Sequence, residues 1–150
     1  MDEGATASPD VSVKGPRQGA PPPRPGPAAG TTFSVVAVED FAELEKYVLA
    51  WDDLAAAAVE PNVFYESWML PPALRAYGAD KPLLFLLVFA HKAAGSRGEP
   101  LLCGLFPLER RRRFAGLPIR APRLWRYVHC YLTVPLVRAG FGPECLQTCL

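Results

Sequence analysis

His129 stands in the run Trp125-Arg126-Tyr127-Val128-His129-Cys130-Tyr131. Imidazole titrates near neutrality, so His129 is a candidate general base toward an amine. No carboxylate lies close in sequence to orient it, and the alternative is a hydrogen-bonded structural histidine. Cys130 beside it suggests a thiol nucleophile with an adjacent base. Neighbours on a strand point to opposite faces, which counts against that pairing. His91 precedes Lys92 at a strand end and is expected to be exposed.

Four consecutive arginines, Arg110 to Arg113, form the strongest charge feature. They could bind phosphate or nucleic acid, or they could be a solvated hairpin tip. Only Phe114 supplies an adjacent aromatic ring, so nucleic acid is not expected. Arg120, Arg123 and Arg126 follow at intervals of three, which does not place them on one strand face. The four cysteines, Cys103, Cys130, Cys145 and Cys149, form no C-x-x-C pair and have no zinc-site spacing. They are expected to be reduced thiols, with no metal bound.

These residues need elements to position them. Residues 1–30 contain seven Pro, five Gly and five Ala, with no aromatic residue, Leu or Ile. Such a stretch cannot bury enough apolar surface to offset the entropy of ordering it, so a disordered leader is expected. The first thirty residues lack the apolar run of a secretory signal, no span reaches the length of a membrane helix, and a cytoplasmic location is expected. The domain proper is expected over residues 31–150. Thr31 to Val38 is β-rich and reads as the first strand. Glu39-Asp40 supply a helix start, and apolar residues at 41, 44, 48, 51, 54, 55 and 58 predict a helix to about Val59. A second helix starts either near Ser67 or at Pro71 or Pro72, and ends at Gly78. Leu83 to Phe89 and Leu101 to Leu108 read as strands. Pro107 argues for a strand end or bulge. An extended segment follows over 117–127, then a short strand within 129–137 and the start of a helix from Glu144. The fold class is therefore mixed α/β (α+β), in the order β-α-α-β-β-β and then a helix.

Net charge is +1, but the sum conceals a dipole. Glu39 to Glu66 holds eight acidic residues against Lys46, while Arg110 to Leu150 holds eight arginines against Glu144. Either the two halves face each other, or the basic end faces an anionic partner.

Three blocks carry a family resemblance: Pro61-Asn62-Val63-Phe64-Tyr65-Glu66-Ser67-Trp68, Leu102-Cys103-Gly104-Leu105-Phe106-Pro107-Leu108, and Val128 to Val137 with its Pro135-Leu136-Val137. In this order they resemble the N-terminal half of the GCN5-related N-acetyltransferase (GNAT) fold. The similarity is to the bacterial CelD/BioF2-like, FemAB-related branch associated with cellulose biosynthesis. The resemblance implies acetyl-CoA or another acyl-CoA as donor in the intact protein. It implies a small-molecule or glycan amine or hydroxyl as acceptor. It also implies that Tyr65, Trp68 and Tyr131 line the acceptor side, with the His129 block near the cleft. The family's Gly-rich phosphate loop has no counterpart here, since Gly140-x-Gly142 before a helix is only a faint echo. No cofactor-binding residue is therefore expected in this chain, which would need a missing C-terminal half of the domain as partner. A fragment inactive alone, with an uncovered sheet edge and a tendency to self-associate, is expected. The competing expectation is a non-catalytic binding module that uses the Arg-rich segment 110–126 for an anionic partner.

Overall fold

A computed structural model describes residues 26–92, 98–111 and 121–149. Most of the expected leader, residues 93–97, and Arg112, Arg113 and Arg120 lie outside the described residues. At the leader's end, the Thr31 N–H and hydroxyl both donate to the Ala28 carbonyl.

The chain is an α+β fold on an antiparallel sheet. Strands β1 (Thr32–Val38), β2 (Leu83–His91), β3 (Leu101–Arg111) and β4 (Ala121–Leu124) lie in that order, and β5 (Leu136–Val137) also pairs with β3. A 3₁₀ helix, Phe41–Tyr47, leads into α1 (Val48–Ala56). The helix expected to reach Val59 thus starts as a tighter coil and stops at Ala56. Beyond it, the Ala58–Arg138 bridge and the bond from Val59 N–H to the Val137 carbonyl draw the chain to the sheet. Asp40 caps the start, its carboxylate accepting from the Ala42 N–H at 2.9 Å. The anticipated apolar stripe delivers Leu44, Trp51 and Leu54 to the core.

Helix α2 (Leu70–Tyr77) takes Pro71 and Pro72 in its first turn, where a missing N–H costs no helical bond. Gly78 ends it, donating to the Leu74 carbonyl at 2.8 Å. These helices cover one sheet face with Trp51, Leu74, Phe85, Leu87 and Leu105 between the layers. Helix α3 (Gly142–Cys149) follows a turn at Gly140, whose φ of 87° suits glycine. It covers the other face, where Cys145 meets Val88, Cys103, Phe106 and Phe141. Strand β2, a near-continuous apolar run, is therefore covered on both faces. No helix among the described residues is long and apolar enough to cross a membrane.

Two expectations about the strands need correcting. Pro107 neither ends nor bulges β3, which runs on to Arg111, and the irregular step lies at Val88/Phe89 of β2. The reason is directional. Both backbone polar groups of an antiparallel residue face the same neighbour. The Pro107 carbonyl accepts from the Trp125 N–H at 2.8 Å, so its nitrogen also faces the β4 side, and the ladder to β2 is intact. His91, expected to be exposed, is half-buried, and its Nε2 shares a 2.7 Å hydrogen bond with the Ser34 hydroxyl across the β1–β2 pair.

The charge dipole folds back on itself. Arg110 pairs with Glu39 at 2.5 Å and Arg138 pairs with Asp53, each joining the basic end to the acidic stretch.

Cys145 packs where Gly104 leaves space: a Cβ there would lie 2.8 Å from the Phe106 ring and 3.4 Å from the Cys145 sulfur. Gly104→Ala should therefore lower stability by about 1–3 kcal/mol through overpacking. Urea unfolding would measure this, and an unchanged midpoint would show that α3 does not seat on β3 as described.

Candidate functional site

The edge strand beside β3 is interrupted. β4 pairs with β3 as far as Leu124 opposite Leu108, and β5 resumes with Leu136 opposite Leu105. The ten residues 126–135 leave the sheet between these points. Pro107 explains where they leave. Trp125 donates its N–H to Pro107, but Pro107 has no N–H to return, so the Trp125 carbonyl is left without its ladder donor. The Tyr65 hydroxyl donates to that carbonyl instead.

Tyr65 is held in turn from behind. Its own carbonyl accepts from the Trp51 indole N–H at 2.8 Å. The Tyr65 ring has no solvent exposure. Burial is the main cause that pushes its phenol well above the ordinary tyrosine range, with Cys130 and Tyr127 adding to it. It therefore remains a neutral donor at any pH at which the protein functions.

Asn62 fixes the far end of the excursion. Fully buried, it donates from Nδ2 to the Leu132 carbonyl at 3.2 Å and the Val134 carbonyl at 2.7 Å. Its Oδ1 accepts from the Phe64 N–H, capping the short 3₁₀ turn Val63–Tyr65. Aromatic rings support the middle. Tyr77 stacks on Tyr127 with centroids 5.4 Å apart, and Phe64 meets Tyr127 and Tyr131 edge-on at 6.3 and 6.2 Å.

Above this framework lies an open polar cleft of about 510 Å³. Arg123, Arg126, Tyr127, Val128, Cys130, Tyr131 and Thr133 line it. Arg123 donates two hydrogen bonds to one Glu109 oxygen, at 2.7 and 2.9 Å. Arg126 is exposed and has no ion pair or hydrogen bond among the described residues. The Tyr127 hydroxyl is buried and likewise has no hydrogen-bond partner among them. Burial first, then Cys130 and Tyr77, raises the Tyr127 phenol above its usual range, so it is a donor rather than a base.

The expected site residues separate. Tyr131 lines the cleft and is 84% exposed, as an accessible aromatic wall would be. Tyr65 lies beneath the cleft as a strut, because its hydroxyl is committed to Trp125. Trp68 is exposed and donates to Glu66 at 2.7 Å, outside the residues that line the cleft. The second helix begins only at Leu70, beyond it. His129 is exposed, with its ring against Tyr77 at 6.0 Å, and is not one of the lining residues. Cys130 is buried and its thiol is raised by burial, although Arg126 and two backbone hydrogen bonds draw it down. It is thus a protonated thiol at neutral pH, a weak nucleophile.

Tyr127 and Thr133 were missed as binding residues, and Arg126 was anticipated only as the end of the Arg-rich segment 110–126. Their signal was Pro107, since a proline in a central strand marks where the neighbouring chain must depart. A second, mainly apolar groove of about 380 Å³ lies at the Ser34–His91 pair, flanked by Tyr47, Phe89 and Glu99.

No protein-family model, curated protein or solved structure matches this chain.

Replacing Asn62 with Ala would orphan two half-buried carbonyls, at a cost of about 1–3 kcal/mol. Amide exchange should accelerate selectively across 126–135. Uniform acceleration over the whole sheet would instead mean that the excursion is not a separate unit.

For Tyr65→Phe the expected cost is about 1–3 kcal/mol, from the orphaned Trp125 carbonyl. The pH dependence has a definite sign. An unfolded tyrosine ionises near about pH 10. The folded phenol ionises higher, so its contribution is complete below that pH and is lost as pH rises above it. Thermal midpoints above about pH 10 should therefore fall more steeply in the wild type than in Tyr65→Phe. Parallel curves would refute the role given to Tyr65.

Proposed function

We propose that the chain supplies the acceptor side of an acyl-CoA-dependent N- or O-acyltransferase. A small-molecule or glycan amine or hydroxyl would sit in the cleft beside the excursion. The observation supporting this reading is the convergence of the three blocks that resemble the acyltransferase family. Asn62 and Phe64 of the first support the third directly, and the third pairs with the second through Leu136 opposite Leu105 and Val137 opposite Gly104.

The cleft's chemistry suits holding an acceptor rather than activating one. Its phenol and thiol are both raised and stay protonated, so neither removes a proton from an amine. Orientation is what the walls can contribute, and holding reactants in line is a large part of bimolecular catalysis. Tyr131 offers an open ring face, and the Tyr127 hydroxyl and Arg126 guanidinium offer donors. In this reading acyl-CoA, when bound, supplies the activated thioester carbonyl. The chain has no Gly-rich loop for the donor's phosphates.

A panel of amino sugars titrated against the 150-residue chain, followed by amide chemical shifts, tests the reading. Shifts should cluster on residues 126–133. Tyr131→Ala should weaken binding about three- to tenfold while leaving the thermal midpoint nearly unchanged, because the ring is largely exposed. Thioester consumption by the chain alone should stay at the uncatalysed rate. Shifts confined to the Ser34–His91 groove, or clear turnover without a further chain, would overturn the assignment.

A further inference from the structure

The cleft carries a more specific message, which rests on the acceptor reading above. Among the described residues, the arginines that make ion pairs are Arg110 with Glu39, Arg123 with Glu109 and Arg138 with Asp53. Arg75 and Arg126 make none; Arg75 lies over the Phe41 ring, which leaves Arg126. It stands at the cleft without an acidic partner, although its neighbour Arg123 has one. In the same wall, Tyr127 is 8% exposed, yet its hydroxyl has no hydrogen-bond partner among the described residues. A buried unpaired hydroxyl costs about 1–3 kcal/mol. Such a cost is tolerated where a ligand completes the bond. Thr133 adds a hydroxyl to the lining. No aspartate or glutamate is among the lining residues, so the cleft is electropositive.

We infer that the ligand of this cleft carries an anionic oxygen group, a carboxylate or a phosphate, held by the free guanidinium of Arg126 with the Tyr127 hydroxyl as second donor. Both groups present oxygens that a guanidinium binds through charge-assisted hydrogen bonds. The acceptor class narrows accordingly to acidic or phosphorylated amino sugars and similar anionic amines, in preference to a neutral glycan. A cleft with one free arginine fits a small anion. It does not fit a polyanion such as nucleic acid, which needs several phosphate contacts for measurable affinity.

Four probes decide the matter: glucosamine, glucosamine 6-phosphate, methyl phosphate and acetate, each titrated by NMR and calorimetry. Glucosamine 6-phosphate should bind at least tenfold more tightly than glucosamine. Arg126→Gln should abolish that preference without moving the thermal midpoint, because the side chain is exposed. Arg123→Gln should reduce the preference less, since Glu109 already engages that guanidinium. Tyr127→Phe is the discriminating variant. It should raise or preserve stability by removing an unsatisfied hydroxyl, yet weaken the phosphorylated ligand severalfold. Unchanged affinity in Tyr127→Phe would overturn the role of the hydroxyl.

Equal affinity for the two sugars would overturn the anionic inference and leave the acceptor cleft standing. Binding of methyl phosphate or acetate at Arg126 with no added affinity from the sugar would do the reverse, retaining the anion site and ending the acceptor reading. No binding by any of the four would end both.

Discussion

One missing hydrogen bond shapes the functional side of this molecule. Pro107 lies within the central strand β3 and faces its nitrogen toward the edge, where it has no proton to give. The ladder on that side is interrupted there, and the neighbouring chain leaves the sheet as the excursion 126–135. A buried carbonyl cannot go without a donor at low cost. The Trp125 carbonyl therefore takes one from Tyr65, whose backbone is in turn held by the Trp51 indole. A helix, a turn and an edge strand are thereby tied together through the gap that one proline creates.

The same logic extends to the excursion's other end. Asn62 spends all three of its used hydrogen bonds locally, two on the returning chain and one on its own turn. The aromatic rings of Phe64, Tyr77, Tyr127 and Trp125 fill the space between. The result is a loop whose backbone is held at both ends while several of its side chains stay open to solvent. Rigid backbone with accessible side chains is the arrangement that favours binding, because little ordering entropy remains to be lost when a ligand arrives.

Electrostatics follow the fold rather than direct it. The acidic stretch after β1 and the basic end of the chain meet through Arg110–Glu39 and Arg138–Asp53, which are partly exposed pairs of modest energetic value. Their importance lies in what they remove. They neutralise Arg110 and Arg138, and at the cleft Arg126 is left without an acidic partner among the described residues.

The elements were legible where periodicity is strong. The β-rich run before Glu39, the apolar stripe from Phe41, the prolines opening α2, Gly78 closing it and the apolar run of β2 are local signals, and local backbone physics determines them. Pro107 was legible as an interruption, but not as one displaced onto its neighbour. Which side of a strand a proline's nitrogen faces depends on pairing register, a non-local property. Tyr65, Trp68, Tyr131 and His129 were equally recognisable as chemistry-bearing residues. Only packing separated them into a buried strut, an exposed turn residue, a cleft wall and an outward imidazole. By itself, then, the sequence determined the α+β class and the separation of charge, because these follow from short-range propensity and composition. The tertiary structure decided which polar groups are satisfied and which remain free, because a hydrogen-bond partner is chosen by proximity in space across sixty or seventy residues of chain.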